Sequence, residues 1–494
     1  MNLNDNQIDS IVSRVVSNLG QDRERIDRQD SRSSRHGRPQ GHQAGGEGDK
    51  REQEQARNYG RRGSFSTIED AIVASKRAFA EFSAVPVETR KKFIQAMRKI
   101  CQDNIKTIAN MGHVETGLGR YEDKLVKNRV AIFDTPGVED LEPTAFTGDN
   151  GLTILERAPW GVIGSITPCT NPSETIISNS IGMLAAGNSV VFNPHPSAKR
   201  TSVYTIDLLN QAIMSEGGPA NLLATVDQPT IASAGILMNH PDIKLLVVTG
   251  GPAVVAAAMK TGKRVIGAGP GNPPVVVDET ADIEKAAKDI VTSAGTDNNI
   301  ICVIEKEIIV TEKAASALKK ALVKHGAYEL SSYQAKRLES IILDGDHPNK
   351  KWVGKDIQLI LKEIGLDIDQ SKRIAITETG PDHPFATVEM LLPVLPFIRV
   401  KDIDQAIEVA YQLEGGCFHT AVIHSKNIDH MHQMAKRMNT SIFVKNGMAL
   451  EGLGLNGDAP ASFTIASPTG EGVTSARHFT RTRRCVISGH FRIN

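Results

Sequence analysis

Cys302, one of five cysteines, lies between a polar run that favours turns, residues 296–299, and an apolar run typical of a buried strand, residues 307–310. A thiol held at the end of a rigid element can face a cleft, where local dipoles and charges set its pKa. Those conditions suit a nucleophilic cysteine, because the thiolate is the attacking species. A buried cysteine without chemistry is the commoner outcome and stays open as the alternative.

Polar groups also follow several short apolar runs upstream of Cys302. They form the runs Thr167-Pro168-Cys169-Thr170-Asn171, Asn193-Pro194-His195 and Thr249-Gly250-Gly251. Each comes directly after a predicted strand, and ligands of parallel α/β sheets bind where the carboxyl ends of strands meet. The two glycines also precede a predicted helix, so their backbone N–H groups can approach a phosphate.

Two further stretches carry weaker information. Glu389 is the only carboxylate in an apolar, proline-punctuated stretch, residues 385–400. Such a carboxylate is either paired or functional, because burying an unpaired charge is costly. The glycine-rich run 267–272 is followed by Pro273 and an apolar strand pattern rather than by a helix, so it is a poor dinucleotide fingerprint. We interpret it as the connection that leaves a nucleotide-binding domain.

The elements that must position these groups follow an α/β pattern. Residues 66–112 predict packed helices, 153–157 predict a separate strand, and no chemistry is predicted before residue 158. From Trp160 onward, predicted strands (161–166, 189–192, 222–226, 243–248, 263–266) alternate with predicted helices (173–186, 202–214, 231–238, 253–259). This alternation predicts a parallel sheet covered on both faces. Further helices (282–293, 314–324, 404–413) and strands (307–310, 420–423) predict a second domain.

Composition narrows the class of protein. The 494 residues carry 57 basic and 57 acidic side chains, so no global field favours nucleic acid or an anionic membrane as a partner. The cysteines show neither paired nor metal-type spacing, which argues against disulfides and metal ligation. No apolar run has the length of a membrane span, and no secretion signal is recognised at the start. A reducing, cytosolic setting is expected.

The first 63 residues differ from the rest. Ile8, Val12, Val15 and Leu19 recur at helical spacing, which predicts an amphipathic helix within residues 1–19. Residues 20–63 are rich in Arg, Asp, Gln, Gly and Ser, a composition that predicts a disordered linker. An apolar helical face on a tether is typical of a docking device. A disordered tail with accidental periodicity is the alternative, and interleaved acidic residues weaken a third one, a nucleic-acid-binding arm.

Several motifs taken together resemble the aldehyde dehydrogenase superfamily, from about Ser66 to the C-terminus. They are Pro159-Trp-Gly-Val-Ile-Gly, Thr167-Pro, Asn171-Pro, Leu184-Ala-Ala-Gly-Asn-Ser-Val-Val, Val248-Thr-Gly-Gly, Cys302 and Glu389-Met-Leu-Leu-Pro-Val. The resemblance implies the aldehyde dehydrogenase fold of class α/β. Its parts would be a Rossmann-like NAD-binding domain (64–135 and 158–267), an α/β catalytic thiol domain (268–470) and a small oligomerisation strand extension (136–157 and 471–494).

The resemblance also implies catalytic roles. Cys302 would attack the aldehyde carbonyl, and the Asn171 side chain with the backbone N–H of Cys302 would form the oxyanion hole. Hydride would pass to the nicotinamide of NAD, which leaves a thioester on Cys302. Glu389 would hold the nicotinamide ribose, and Gly251 and Val254 would lie near the pyrophosphate and adenine. The other implied cofactor-binding residues are Thr167, Pro168, Asn193, Pro194, His195, Gly250, Ala268, Gly269 and Leu391.

Departures from the family pattern favour one branch. Hydrolytic members carry a glutamate in a Glu-Leu-Gly-Gly motif, whereas this chain has Ala268 at that place and so lacks the general base there. The usual ribose-binding lysine is replaced by Asn193. With residues 415–425 and 483–489, these changes resemble the coenzyme-A-acylating branch, in which the thiol of coenzyme A resolves the thioester. A thiol needs less activation than water does.

The implied biology has several parts. The N-terminal segment resembles the encapsulation peptides of microcompartment propionaldehyde dehydrogenases, which implies docking of residues 1–19 on shell or core proteins and location in a bacterial microcompartment lumen within the cytoplasm. A short aldehyde such as propionaldehyde is the implied substrate, and a homo-oligomer, dimer or tetramer, is the implied assembly. Two alternatives stay open: a hydrolytic dehydrogenase that uses His195, His419 or Glu389 as base, and a non-catalytic scaffold.

Overall fold

A computed structural model describes residues 62–493 of the chain. The predicted N-terminal helix and nearly all of the predicted linker lie outside these described residues. Among the residues described, no helix combines the length and apolarity that crossing a membrane requires. The described part is organised around two parallel sheets and a smaller antiparallel one.

The first sheet has six parallel strands in the order β1-β6-β5-β4-β7-β8. Its strands are β1 (Ser64–Phe65), β4 (Val162–Thr167), β5 (Ser189–Pro194), β6 (Leu223–Val226), β7 (Ile243–Thr249) and β8 (Arg264–Ala268). Its helices are α1 (Ile68–Phe82), α2 (Val87–Asp103), α3 (Ile105–Thr116), α4 (Tyr121–Phe133), α5 (Pro172–Ala185), α6 (Lys199–Ser215), α7 (Ile231–Asn239) and α8 (Pro252–Met259). The prediction of alternating strands and helices after Trp160 is confirmed.

Strand β7 shows why this sheet is covered on both faces. Leu245 and Val247 pack into the core cluster that contains residues of α2, α5 and α6, and Leu246 and Val248 pack into the cluster that contains residues of α1, α7 and α8. Successive side chains of a strand point to opposite faces, so a strand buried on both sides must be apolar at consecutive positions.

The second sheet has seven parallel strands in the order β11-β14-β15-β10-β9-β16-β17. Its strands are β9 (Pro274–Val277), β10 (Glu307–Thr311), β11 (Ala327–Glu329), β14 (Ile374–Glu378), β15 (Val394–Val400), β16 (Thr420–His424) and β17 (Ile442–Lys445). The helices that accompany it are α9 (Ile283–Gly295), α10 (Glu312–Lys324), α11 (Ser332–Ile342), α12 (Ile357–Lys362), α13 (Pro384–Thr387), α14 (Ile403–Glu414) and α15 (Ile428–Met438). The glycine-rich run before Pro273 connects the two sheets.

The third sheet is antiparallel and joins distant parts of the chain. It consists of β2 (Thr144–Gly148), β3 (Gly151–Pro159) and β20 (Thr480–Ser488), and β3 is the central strand. Two small antiparallel pairs, β12 (Leu343–Asp344) with β13 (His347–Pro348) and β18 (Ile465–Ala466) with β19 (Gly472–Val473), complete the strands. The 3-10 segments are Val138–Leu141, Pro196–Ala198, Thr296–Asn299, Ala449–Leu453 and Ala476–Phe479.

Candidate active site

The loop that carries Cys302 begins with an unusual turn. Asp297, Asn298 and Asn299 all have positive φ angles, 47°, 53° and 65°. Asp and Asn tolerate this left-handed conformation better than other non-glycine residues do, which explains the polar run seen in the sequence. The turn is also held by side chains: Asn299 Nδ2 donates to the carbonyl oxygens of Ala294 (2.9 Å) and Glu305 (3.0 Å). Cys302 therefore follows a turn that is held in place by side-chain hydrogen bonds.

Four of the site residues precede four adjacent strands of the second sheet. Gly271 precedes β9, Cys302 precedes β10, Glu389 precedes β15 and His419 immediately precedes β16. Because β15, β10, β9 and β16 are neighbours in this order and all parallel, their amino ends meet at one edge. Sheet topology thus brings together residues that lie up to 148 positions apart.

Gly271 lies at the centre of this group. Its backbone N–H donates to Oε1 of Glu389 at 3.4 Å. A Cβ built on Gly271 would lie 2.7 Å from the carbonyl oxygen of Cys302 and 2.9 Å from Cγ of His419. Only a glycine therefore allows the thiol loop and the imidazole to approach this closely. The backbone of Cys302, the carboxylate of Glu389 and the imidazole of His419 are gathered around one backbone position.

Local electrostatics keep the Cys302 thiol protonated in the free protein. Although Cys302 is partly exposed, burial of its thiol raises the pKa to about 12, and the charge of Glu389 adds to that effect. The ammonium groups of Lys306 and Lys127 act in the opposite direction and lower the pKa of Cys302. Burial also raises the pKa of Glu389 and lowers that of Lys306 to about 8. The buried thiol is therefore a weaker nucleophile at neutral pH than an exposed cysteine would be.

His419 supplies a neutral imidazole beside Gly271. Burial, with the nearby Lys306 charge, lowers the pKa of His419 to about 4. Its Nδ1 lies 2.9 Å from Oγ1 of Thr420, and its backbone N–H donates to Glu414 at 2.7 Å. Its buried Nε2 has no hydrogen-bond partner among residues 62–493. A neutral ring with a free nitrogen can accept a proton when Nδ1 carries the hydrogen.

The two ends of the Asn171 side-chain amide differ in their hydrogen bonds. It precedes helix α5, whose first residue is Pro172, a position where proline suits a helix. Its Oδ1 accepts a 2.6 Å hydrogen bond from Nζ of Lys127. Its Nδ2 makes only a long contact, 3.4 Å, to Oγ1 of Thr170. The N–H groups of this amide thus remain available to a ligand.

The predicted cofactor edge lies where β4 and β7 end. The chain continues from β4 to β5 on one side and returns to β7 on the other, and this reversal creates the crevice in which nucleotides bind in such folds. Thr167 is buried at the end of β4, and its hydroxyl has no partner among the described residues. Gly251 caps α8, and a Cβ built there would meet nothing within 4 Å. Pro168, Gly250 and Val254 are partly exposed along the same edge. An unpaired hydroxyl and open backbone at a helix start fit a dinucleotide phosphate.

The three predicted residues at the end of β5 differ in their surroundings. Asn193 is buried, and its amide is used internally: Oδ1 accepts from Ser233 at 2.6 Å, and Nδ2 donates to the carbonyl oxygen of Thr230 at 3.4 Å. Pro194 is buried and ends the strand. His195 is exposed, and its Nδ1 accepts from the backbone N–H of Ser197. The Asn193 side chain therefore orients α7 rather than presenting free polar atoms.

The remaining predicted cofactor-binding residues are Ala268, Gly269 and Leu391. Ala268 is buried at the end of β8, and its carbonyl oxygen accepts from the N–H of Gly250 at 3.2 Å. A Cβ on Gly269 would lie 2.9 Å from Cγ of Pro468. Leu391 has a positive φ of 52°, and its carbonyl oxygen accepts from Gly354 N–H. No carboxylate stands at position 268.

Three residues of the site were missed by sequence reasoning: Gly271, Lys306 and Lys127. Lys127 lies on α4, in the region for which no chemistry was predicted. Lys124 and Asn128 of the same helix are also buried. Lys127 and Asn128 follow Lys124 by three and four positions, a spacing that places them on one face of the helix. Charged residues on the buried face of a helix are rare unless they are paired, and that spacing was the available signal. Among residues 62–493, no group of three or more metal-ligating side chains is found.

Comparison with known proteins identifies the family of this chain. The sequence profile described as the aldehyde dehydrogenase family matches residues 53–331 and 374–453, and the chain therefore belongs to the aldehyde dehydrogenase family. The acetylating acetaldehyde dehydrogenase EutE of Salmonella typhimurium is 50% identical over 438 residues, which cover 87% of this chain and 93% of EutE. The predicted membership of the coenzyme-A-acylating branch is confirmed.

Solved structures support the same branch. The propionaldehyde dehydrogenase of Rhodopseudomonas palustris, with bound CoA and an acylated cysteine, has a TM-score of 0.85 and 47% identity over 86% of this chain and 98% of that one. A propionaldehyde dehydrogenase from the fucose utilisation bacterial microcompartment of Clostridium phytofermentans has a TM-score of 0.87 and 45% identity over 88% of this chain and 100% of that one. The predicted fold class is confirmed.

Proposed function

We propose that this enzyme oxidises a short aliphatic aldehyde, such as propionaldehyde, with NAD and transfers the acyl group to coenzyme A through a thioester on Cys302. The observation that carries the proposal is the edge where Cys302, Glu389 and the neutral His419 surround Gly271, while position 268 offers no carboxylate. The missing carboxylate at position 268 favours transfer to a thiol over hydrolysis, because a thiol is far more acidic than water and needs less activation by a base.

The residues of this chain have distinct parts in the reaction. After its proton has passed to solvent, Cys302 attacks the aldehyde carbon as the thiolate, and the free N–H of the Asn171 amide with the backbone N–H of Cys302 stabilises the developing oxyanion. A nicotinamide cofactor bound here would supply the acceptor for the hydride of this carbon. Glu389 lies beside the thiol, where it can position the nicotinamide ribose. The product of this half-reaction is a thioester on Cys302.

The second half-reaction releases the acyl group. The thiol of coenzyme A, the second substrate, would attack the thioester carbon, the bond from that carbon to Cys302 would break, and the Cys302 thiolate would leave. His419 is the residue suited to take the proton of that thiol, because its ring is neutral and its Nε2 is unpaired. The relative from Rhodopseudomonas palustris, which holds both CoA and an acylated cysteine, supports this order of events.

The first experiment follows NADH formation from propionaldehyde with and without coenzyme A, with mass analysis of the product. Steady turnover to propionyl-coenzyme A only in the presence of coenzyme A is expected. Steady formation of propionate without coenzyme A would refute the acylating function and favour the hydrolytic alternative. A Cys302→Ala variant must lose both steps, and full activity of that variant would remove Cys302 from the mechanism.

Substrate and cofactor preference can be measured in the same assay. The compared proteins act on acetaldehyde or propionaldehyde, so these two aldehydes are the first pair to compare by kcat/KM. We propose propionaldehyde as the better substrate and NAD as the better cofactor. A higher kcat/KM with acetaldehyde, or with NADP, would correct that part of the proposal and leave the reaction type unchanged.

We also propose that residues 1–19 direct the enzyme into a bacterial microcompartment. The helical spacing of Val12, Val15 and Leu19 supports this proposal, as does the microcompartment origin of the Clostridium phytofermentans protein. A fluorescent reporter fused to residues 1–19 should co-purify with compartments, whereas a Val12→Asp/Val15→Asp reporter should not. Equal co-purification of both reporters would contradict an apolar docking face.

The third sheet is the proposed contact between subunits. Phe146 of β2 and Val486 of β20 are 56% and 57% exposed, which leaves apolar surface on this sheet. A second copy that covers this sheet would produce a dimer, and pairs of dimers would produce a tetramer. Sedimentation of the full chain and of a variant that lacks residues 480–494 tests this. A monomeric full chain would refute the proposal.

A further inference from the structure

Lys127 of helix α4 is buried, and it contacts both Asn171 and Asp297, the residue that begins the turn leading to Cys302. Its Nζ lies 2.6 Å from Oδ1 of Asn171, 2.5 Å from Oδ2 of Asp297 and 3.5 Å from Oε1 of Glu174. Only 3% of its side chain is exposed. Every direction in which the ammonium can donate therefore ends on a protein oxygen, and the group is fixed in place.

This contact determines which way the Asn171 amide faces. An ammonium has three donors and no acceptor, so the atom of Asn171 that faces Lys127 must be the carbonyl oxygen. The NH₂ of the amide is then directed away from Lys127. If the amide were reversed, two donors would oppose each other in a buried site, at the cost of an unsatisfied group. Lys127 thus selects the donating orientation that an oxyanion hole requires.

The same ammonium fixes the start of the thiol loop. Asp297 is fully buried, and its Oδ1 accepts from the backbone N–H of Arg120 at 2.7 Å while its Oδ2 faces Lys127. Asp297 opens the left-handed turn that leads to Cys302, five residues later. Such a strained turn persists only where the surroundings hold it. Lys127 is therefore one fixed point shared by Asn171 and by the loop that carries the thiol.

We infer that Lys127 is a positioning residue that orients the Asn171 amide for oxyanion stabilisation and holds it in register with the thiol loop. The inference rests on the proposed function, because it assigns oxyanion binding to Asn171. Lys127 itself does not contact the reacting atoms; it acts through Asn171 and Asp297.

The ionisation of Lys127 is consistent with this role. Burial lowers the pKa of Lys127, but the charges of Asp297 and Glu174 outweigh that effect and raise the pKa above its ordinary value. The ammonium therefore keeps its charge and all three donors at neutral pH.

Lys124 offers a matched control on the same helix. It is equally buried, and its Nζ donates to Oδ2 of Asp297 at 3.3 Å. The contacts found for Lys124 among the described residues do not include Asn171. Replacing Lys124 thus removes a buried ammonium from the same network and leaves the amide contact of Lys127 in place.

The test is a double-mutant cycle on the full-length enzyme. Lys127→Met, Lys124→Met and Asn171→Ala are compared alone and in pairs with Asn171→Ala, and the readout is the single-turnover burst of NADH from propionaldehyde without coenzyme A. Asn171→Ala should slow the burst by about 100-fold, the effect of removing one oxyanion donor. Lys127→Met should slow it by at least about tenfold with Asn171 present, and by a clearly smaller factor in the Asn171→Ala background, where only the contact of Lys127 with Asp297 is left to lose.

The outcomes separate a positioning role from a structural one. Lys124→Met should slow the burst by the same factor in both backgrounds, because it does not act through Asn171. Lys127→Gln, which keeps an N–H donor toward Asn171, should lose less than Lys127→Met; if the Met variant does not fold, Lys127→Gln and Lys127→Arg replace it in the cycle. An equal loss from Lys127 variants in both backgrounds overturns the inference.

Failure of the proposed function would look different. A wild-type enzyme without any NADH burst would refute the dehydrogenase reaction itself. An Asn171→Ala enzyme with a wild-type burst would overturn the oxyanion assignment and the role of Lys127 together, while the reaction would stand.

Discussion

The α-carbon of Gly271 packs so closely against the carbonyl of Cys302 that a methyl group on Gly271 would lie 2.7 Å from that oxygen. The two residues belong to connections that enter neighbouring parallel strands, β9 and β10. Gly271 also donates its N–H to Glu389. One backbone position therefore fixes the separation between the thiol loop and the carboxylate proposed to hold the cofactor.

Gly271→Ala should impair catalysis more than folding. The added methyl must displace the Cys302 loop or the ring of His419, an overpacking strain of about 1–3 kcal/mol. We expect kcat/KM for the aldehyde to fall by at least about tenfold, because small displacements of reacting groups are costly. The measurement is steady-state kinetics beside thermal unfolding.

Gly235→Ala is the control for that substitution. Gly235 lies within helix α7, and a Cβ there would meet nothing within 4 Å. An exposed-side alanine in a helix should stabilise by about 0.5–1 kcal/mol and leave kcat/KM unchanged. If Gly271→Ala behaved like Gly235→Ala, close contact at Gly271 would be irrelevant to the site.

The reactivity of Cys302 should depend steeply on pH. Burial and the charge of Glu389 raise the pKa of Cys302 to about 12, so the thiolate fraction of the free enzyme grows about tenfold for each pH unit between pH 7 and 9. Iodoacetamide alkylation of Cys302, followed by mass spectrometry, should show that slope. Glu389→Gln should lower the pKa of Cys302 and accelerate alkylation at pH 8, while hydride transfer becomes slower.

The same experiment has clear contrary outcomes. Cys302→Ala provides the background from the other cysteines. A plateau of the alkylation rate below pH 8 would show that the thiol ionises more readily than its burial implies. Unchanged alkylation in Glu389→Gln would show that this carboxylate does not influence the thiol.

Replacing Asn298 should lower stability and activity by more than its left-handed backbone conformation alone predicts. Its Nδ2 donates to Gly354 (2.9 Å) and Asp356 (3.0 Å), and its Oδ1 accepts from Arg120 (2.9 Å). Asn298→Ala loses these bonds, about 1 kcal/mol each, and adds left-handed strain of about 1–2 kcal/mol. We expect a lower unfolding temperature and a smaller NADH burst.

Asn439→Ala serves as the comparison for Asn298. Asn439 has a similar φ of 50° but is exposed at the end of helix α15, away from Cys302. Its replacement should cost only the strain of about 1–2 kcal/mol and leave the burst intact. Equal effects of the two substitutions on the burst would show that the bonds of Asn298 do not support the thiol loop.

His424 should make stability fall on acidification. Burial lowers the pKa of His424 to about 4, whereas the unfolded chain binds the proton near pH 6.5. Between these values the unfolded state holds more protons, so His424 lowers the free energy of unfolding by about 1.4 kcal/mol per pH unit as pH falls. Buried glutamates oppose this trend, because burial raises the pKa of Glu305 to about 7.

A difference measurement isolates that histidine. His424→Gln removes its titration and leaves the glutamates unchanged. The melting temperature of the wild type minus that of His424→Gln should decrease as pH falls from 6.5 to 4.5. A difference that stays constant over this range would show that His424 does not contribute. His424 lies in β16, five residues from His419, so activity at pH 7 provides a check on the fold.

The sequence alone determined the class of fold, and it predicted most of the residues that the proposed function uses. Periodicity predicted the alternating strands and helices after Trp160, because apolar burial imposes a local spacing on each element. It also singled out Cys302 as the candidate nucleophile, since a polar, turn-forming run precedes it and an apolar strand follows it. The lack of a carboxylate at Ala268 is likewise a fact of composition at one position, and it indicated the acylating branch.

Only the tertiary structure decided which distant residues act together. Gly271, Cys302, Glu389 and His419 meet because β9, β10, β15 and β16 are neighbours in the second sheet, and strand order is not encoded in the spacing of any one element. The role inferred for Lys127 likewise depends on contacts between α4, α5 and the thiol loop. Local patterns specify which faces are buried, whereas the pairing of buried polar groups is settled only when the elements pack.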